Sequence, residues 1–253
     1  MAWFDQGTTR IYYEEYGSGD PVLLMPGFAG SIDELSFLSQ ALSAHHRVIA
    51  ADLPGSGRSA PQPRAYTSTF YEDDAHALIA LLANVGTGPV HLVGFSDGGE
   101  VSLVIAGLKP EIARSVLTWG AKGFLDEGDL PLFEAFENVV DNPIEPFRNF
   151  SDYLKATYGE SNARTMTQNF ANAGRAIIQD GGDIGRSRAT DIACPVLLIT
   201  GEEDFLAPPA SVSQFASAIR SVEVLPLGGA GHSVHRSHPE WLSQTVLAWL
   251  ARH

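Results

Sequence analysis

Six short apolar runs recur along the chain and limit what it can fold into: PVLLM (21–25), HRVIAAD (46–52), PVHLVGF (89–95), SVLTWG (115–120), CPVLLIT (194–200) and VEVLPL (222–227). Each is bounded by Gly, Pro or Asp, and each lacks the polar alternation of a strand with one wet face. Strands of this kind are buried on both sides. The stretches between them, such as FYEDDAHALIALLANV (70–85) and PASVSQFASAIRS (209–221), carry helical spacing. Buried strands alternating with helices predict an α/β fold, a mostly parallel sheet with helices on both faces. IYYEEYGSGDPVLLM predicts an early hairpin turning at Gly17 to Asp20, and so an antiparallel edge.

The alternation breaks between 121 and 188. No strand-like run occurs there; DLPLFEAFENVV, PFRNFSDYLKATYG and SNARTMTQNFANAGRAII instead read as helices joined by Pro, Gly and Asn. The expected organisation is a core of residues 1–120 and 189–253 interrupted by a helical cap insertion, 121–188. Most of its aromatic residues (Phe133, Phe136, Phe147, Phe150, Tyr153, Tyr158, Phe170) are expected to form its own core. An insertion placed there would also roof the carboxyl ends of the strands, where open α/β sheets bind ligands.

Composition narrows the class of partner. A formal net charge of −14 over 253 residues is the wrong sign for DNA, RNA or an anionic membrane. Cys194 is the single cysteine, so no intrachain disulfide forms and a reducing compartment is the simpler expectation. MAWFDQGTTR has no charged segment followed by an apolar core, and no apolar run reaches about 18 residues. A cytoplasmic protein acting on a small molecule is expected.

Gly94-Phe95-Ser96-Asp97-Gly98 fits G-x-S-x-G between a buried-type strand and the helical DGGEVSLVIAGL. In that setting the serine sits on a sharp elbow with its hydroxyl exposed, at a helix amino end that favours a developing anion. A plain N-cap serine is the competing reading. A serine hydroxyl needs a base, and a base needs an orienting acid. Asp204 follows a strand in GEEDFLAPP, and His232 follows the next strand in the Gly-rich GGAGHSVH, giving the order Ser, Asp, His. Glu202 and Glu203 are rival acids, while His76 and His91 suit a helix and a strand start. His232, His235 and His238 share a three-residue spacing, but no Cys or carboxylate nearby completes a metal set, so no metal is expected. Two backbone donors for an oxyanion are expected from the N–H groups of Asp97 and Phe28, the latter in LLMPGFAGS.

MPGFAGS, AADLPGSGRS, GFSDGG, GEEDFLAPP and GAGHSVH stand in this order over nearly the whole chain, which resembles the α/β-hydrolase superfamily. The SDGG elbow, TWGAKGF and YGESNARTMTQNF are similar to the valacyclovir hydrolase (biphenyl hydrolase-like) group of serine esterases. The resemblance implies a cofactor-free serine hydrolase of carboxylic esters, with Asp97 binding the α-ammonium of amino-acid esters. An acid in a first helical turn is equally well explained by the helix dipole alone. Glu100, one turn on, is a second candidate for a substrate cation, a competitor of Asp97, or a backbone contact. A perhydrolase or a C–C bond hydrolase would use the same triad, and a receptor with little turnover would use the same cavity. Serine at the elbow argues against a haloalkane dehalogenase, which needs Asp there.

Overall fold

A computed structural model describes residues 1–253. The expected runs become strands of one eight-stranded sheet: β1 (Ala2–Gln6), β2 (Thr9–Tyr16), β3 (Asp20–Met25), β4 (His46–Ala51), β5 (Val90–Phe95), β6 (Ala113–Trp119), β7 (Val196–Gly201) and β8 (Val222–Leu227). Their order is β1-β2-β4-β3-β5-β6-β7-β8. Pairing is parallel from β4 through β8 and antiparallel for β1–β2 and β2–β4.

Side-chain alternation along the central strands divides the core in two. Val22, Leu24, Val93, Phe95, Leu117 and Trp119 pack on one face with α1 (Ser36–Ser43) and α9 (Pro239–Leu250). Leu23, Met25, Leu92, Val116 and Leu198 pack on the other with α2 (Phe70–Asn84), α3 (Asp97–Leu108) and α7 (Pro209–Ala216). Because both faces are covered, these strands carry almost no polar positions.

The antiparallel edge is present, but the hairpin is not where the sequence places it. β1 and β2 form the hairpin, and β4 lies between β2 and β3. The turn at 17–20 therefore carries the chain across β4 rather than back along β2. Gly17 and Gly19 (φ +68° and +113°) make the crossing possible: a Cβ on Gly17 would lie 2.3 Å from the carbonyl oxygens of Ser43 and His46.

Between β6 and β7 stand α4 (Leu130–Asn138), α5 (Arg148–Tyr158) and α6 (Glu160–Gln179). Their aromatic residues do more than fill an internal core. Phe170 stacks on Phe28 of the loop after β3, centroids 3.9 Å apart, and Phe136 meets the same ring edge-on at 5.9 Å. The short α8 (Val234–Ser237) precedes α9. No helix is long and apolar enough to cross a membrane.

The crossing gives a paired test. Gly17→Ala is expected to lower stability by more than about 2 kcal/mol, since left-handed strain adds to backbone overlap. Gly86→Ala, at φ +67° with no atom within 4 Å, is expected to cost only about 1 kcal/mol. Urea denaturation measures both.

Candidate active site

Four loops meet at the carboxyl edge of the sheet, following β3, β5, β7 and β8. Ser96 occupies the turn from β5 into α3 with φ 50° and ψ −118°, a conformation that costs a non-glycine residue on the order of 1–3 kcal/mol. Surrounding contacts hold it there. Ser96 N–H donates to Trp119 O and its carbonyl accepts from Glu100 N–H, both at 2.9 Å. The turn closes tightly enough that a Cβ on Gly94 would lie 2.2 Å from Gly98 O, and one on Gly98 2.5 Å from Pro26 O.

Ser96 Oγ lies 3.0 Å from His232 Nε2, and His232 Nδ1 lies 3.0 and 3.1 Å from the two Asp204 oxygens. An ionised carboxylate only accepts, so Nδ1 carries the proton and Nε2 accepts from the serine hydroxyl. The N–H groups of Leu206 and Ala207 donate to Asp204 Oδ1 at 2.9 and 3.0 Å, fixing the carboxylate. Asp204 is buried, whereas Glu202 and Glu203 are exposed. The three histidines diverge: His235 Nδ1 accepts from Trp119 Nε1–H at 3.2 Å, and His238 meets Ser237. Phe28 N–H donates to no protein acceptor, and Asp97 N–H opens α3 with no preceding turn to bond. A Cβ on Gly27 would come within 3.0 Å of the Ser96 Cβ, so the loop after β3 lies directly against the serine.

Two cavities meet at Ser96 and His232, with Phe28, Phe136 and Leu206 shared between them. The inner one, about 80 Å³, is lined by Asp97, Tyr71, Phe133 and Phe170 among others. The outer one, about 340 Å³, runs out between Phe147, Phe150, Tyr153 and Phe205, with Glu34 and Arg236 at its side.

Asp97 is 7% exposed. Tyr71 Oη–H donates to its Oδ1 at 2.9 Å. Burial pushes its carboxyl up to about 7, against the lowering effect of Tyr71. Glu100 is likewise raised to about 7 by burial. Its carboxylate is turned to the backbone: Oε1 accepts from Lys122 N–H at 2.8 Å and Oε2 from Gly123 N–H at 2.9 Å. Of the three roles expected for Glu100, these bonds match the backbone contact, since both oxygens hold the loop after β6, and the residue also lines the inner cavity. Lys122 Nζ beside it pairs with buried Asp129 at 2.6 Å.

Tyr71, Phe205, Glu34 and Arg236 belong to the cavity walls with no sequence signal to mark them, and Tyr153, expected in the insertion's own core, stands in the outer wall. Tyr71 reaches Asp97 over 26 residues, and its helix FYEDDAHALIALLAN carries no local sign of that contact.

A family model described as alpha/beta hydrolase fold matches residues 20–239. The chain belongs to the alpha/beta hydrolase family. It is an enzyme of that family and a hydrolase, related to the biphenyl hydrolase-like group. It is 29% identical over 208 residues to serine hydrolase BPHL of Homo sapiens, covering 79% of this chain and 68% of that protein. It is 27% identical over 261 residues to the pimeloyl-[acyl-carrier protein] methyl ester esterase of Xylella fastidiosa (strain 9a5c), covering 95% and 99%. The solved structure of E-2-(acetamidomethylene)succinate hydrolase superposes with a TM-score of 0.78 over 99% of this chain and 98% of that one. At 22% identity this likeness speaks to the fold.

The buried acid gives a stability prediction. A carboxyl whose folded pKa is raised loses stability as pH climbs from its unfolded value near 4 to its folded value near 7. Asp97→Asn keeps the acceptor for Tyr71 and removes that ionisation. Its melting temperature is expected to exceed the wild type's by a margin that grows from pH 4 to pH 7 and then levels off. Thermal denaturation across this range measures the margin.

Proposed function

We propose that this hydrolase cleaves carboxylic esters through an acyl-enzyme on Ser96, and prefers small acyl groups that carry an amine. The observation that carries the reading is the continuous hydrogen-bonded series Ser96–His232–Asp204 at the carboxyl ends of β5, β8 and β7. Ser96 Oγ attacks the carbonyl carbon while His232 Nε2 takes its proton. The resulting imidazolium is stabilised by Asp204, and the N–H groups of Phe28 and Asp97 receive the oxyanion. His232 returns the proton to the leaving alcohol, and a water activated by the same nitrogen releases the acid. The name of the BPHL relative, a serine hydrolase, and that of the methyl ester esterase are in keeping with this chemistry.

The difference between the cavities suggests how an ester lies. The small inner cavity suits the acyl group and the larger, aromatic-walled outer cavity suits the alcohol. Asp97 then serves two roles through different atoms. Its backbone N–H faces the oxyanion, while its carboxylate sits in the acyl cavity, away from the charge the reaction creates. An α-ammonium there makes a charge-assisted hydrogen bond with a carboxylate otherwise buried without a cation, worth roughly 1.5–3 kcal/mol.

Ser96→Ala is expected to lower kcat by at least about 1000-fold. With an α-amino-acid ester and its N-acetylated twin, kcat/KM is expected to favour the free amine by about 10- to 100-fold. Asp97→Asn should abolish that preference. As kcat/KM reports the free enzyme, the preference is expected to shrink as pH falls below about 7, where Asp97 takes up a proton while the substrate stays an ammonium. Equal rates for the two esters at about pH 7.3, where the Asp97 carboxylate and the substrate ammonium coexist, would leave a general esterase and refute the amine site.

A further inference from the structure

Peptide groups rather than side chains supply the proposed oxyanion contacts, so the tilt of one peptide plane decides where the Phe28 N–H points. That plane also carries the Gly27 carbonyl, which accepts from Gly30 N–H at 3.0 Å. The Gly30 N–H in turn shares its peptide with the Ala29 carbonyl. Both acceptor positions of Ala29 O are taken by hydroxyls of α5: Tyr158 donates at 2.7 Å and Tyr153 at 3.0 Å. Tyr158 Oη also accepts from Gly57 N–H at 2.7 Å, and Ala29 N–H donates to Ser56 Oγ at 3.2 Å. Two loops of the core and one helix of the insertion thus converge on Ala29.

Ala29 has reason to be held. Its φ of +54° is a left-handed conformation that a side chain disfavours, at the third position of the turn closed by Gly30 N–H and Gly27 O. Such a turn keeps its shape only where its surroundings over-determine it. Two donors on one carbonyl fix the 29–30 peptide, and the turn bond passes that orientation to the 27–28 peptide. Tyr153 also forms part of the outer cavity wall, so a group bound there touches a residue that grips the turn.

We propose that Tyr153 and Tyr158 are positioning residues for the oxyanion hole, aiming the Phe28 N–H at the reacting oxygen through Ala29 O and the Gly30–Gly27 bond. The proposal rests on the oxyanion assignment above. It makes the insertion part of the rate-enhancing apparatus as well as a cavity wall, and it links filling of the alcohol side to the readiness of the hole.

The test uses Tyr153→Phe, Tyr158→Phe and the double variant in the full chain, assayed with one ester. Each single variant is expected to lower kcat by about 5- to 10-fold. The double should approach the roughly 100-fold cost of losing one oxyanion donor, with KM changed by less than about twofold. The deciding readout is a trifluoromethyl ketone bearing the same acyl group, whose adduct with Ser96 places an oxyanion in the hole. Its affinity is expected to fall by the same factor as kcat/KM, while affinity for the product alcohol holds. A lower melting temperature with kcat and ketone affinity unchanged would mean the tyrosines only dock the insertion, and would overturn the proposal. Tyr158→Phe strips the acceptor from Gly57 N–H, whereas Tyr153→Phe does not. A kinetic loss confined to Tyr158→Phe and matched by lost stability would overturn it too. Ser96→Ala, run alongside, separates the two levels: retained activity there, or no ketone adduct on the wild type, would remove the serine reading itself and the proposal with it.

Discussion

The turn at Ser96 is the constraint around which the rest is arranged. A serine at φ 50° is unstable by itself, and it persists because β5 and α3 close on each other with no room for a Cβ at Gly94, and α3 closes on the end of β3 with none at Gly98. Those contacts need β5 in the middle of the sheet, between β3 and β6, which two-sided burial of the apolar strands provides. The same closeness brings the loop after β3 against the serine and leaves α3 beginning at Asp97. The proposed nucleophile, the helix start and one proposed oxyanion donor are therefore consequences of one backbone feature.

Charge near that turn is handled by giving each acid a different partner. Asp204 is held by two backbone N–H groups and faces His232. Glu100 is spent on the backbone of Lys122 and Gly123. Asp52 likewise accepts from Ile32 and Arg58 N–H, bracing the loops beneath the site. Asp97 differs: Tyr71 is its hydrogen-bond donor and no cation of the chain pairs with it, so burial holds its carboxyl near 7. An acid kept that way costs stability at neutral pH, and a substrate ammonium would offset the cost.

Much of this was legible in the sequence because it is local. Runs such as PVLLM and PVHLVGF identify themselves as buried strands, and the elbow, the acid and the histidine each follow a strand end within a few residues. What depends on spatial neighbours was not. The 17–20 turn looks like a hairpin because it joins two strands, and only the placement of β4 between them shows otherwise. Glu100 reads equally as a cation site, a competitor of Asp97 or a backbone contact until the loop at 122–123 is laid over it. Tyr153 and Tyr158 meet Ala29 across 124 and 129 residues; helical spacing marks them as apolar-face residues of α5 and gives no hint of their hydroxyl partner.

Whether the ester carbon becomes bonded to Ser96 can be asked directly. The enzyme would be mixed with an activated ester, quenched within a turnover, weighed intact and then mapped by proteolysis and mass spectrometry. The expected result is a gain of one acyl group, located on Ser96 and absent from Ser96→Ala. Acylation at another residue, or turnover of the same ester by Ser96→Ala at the wild-type rate, would contradict the serine mechanism.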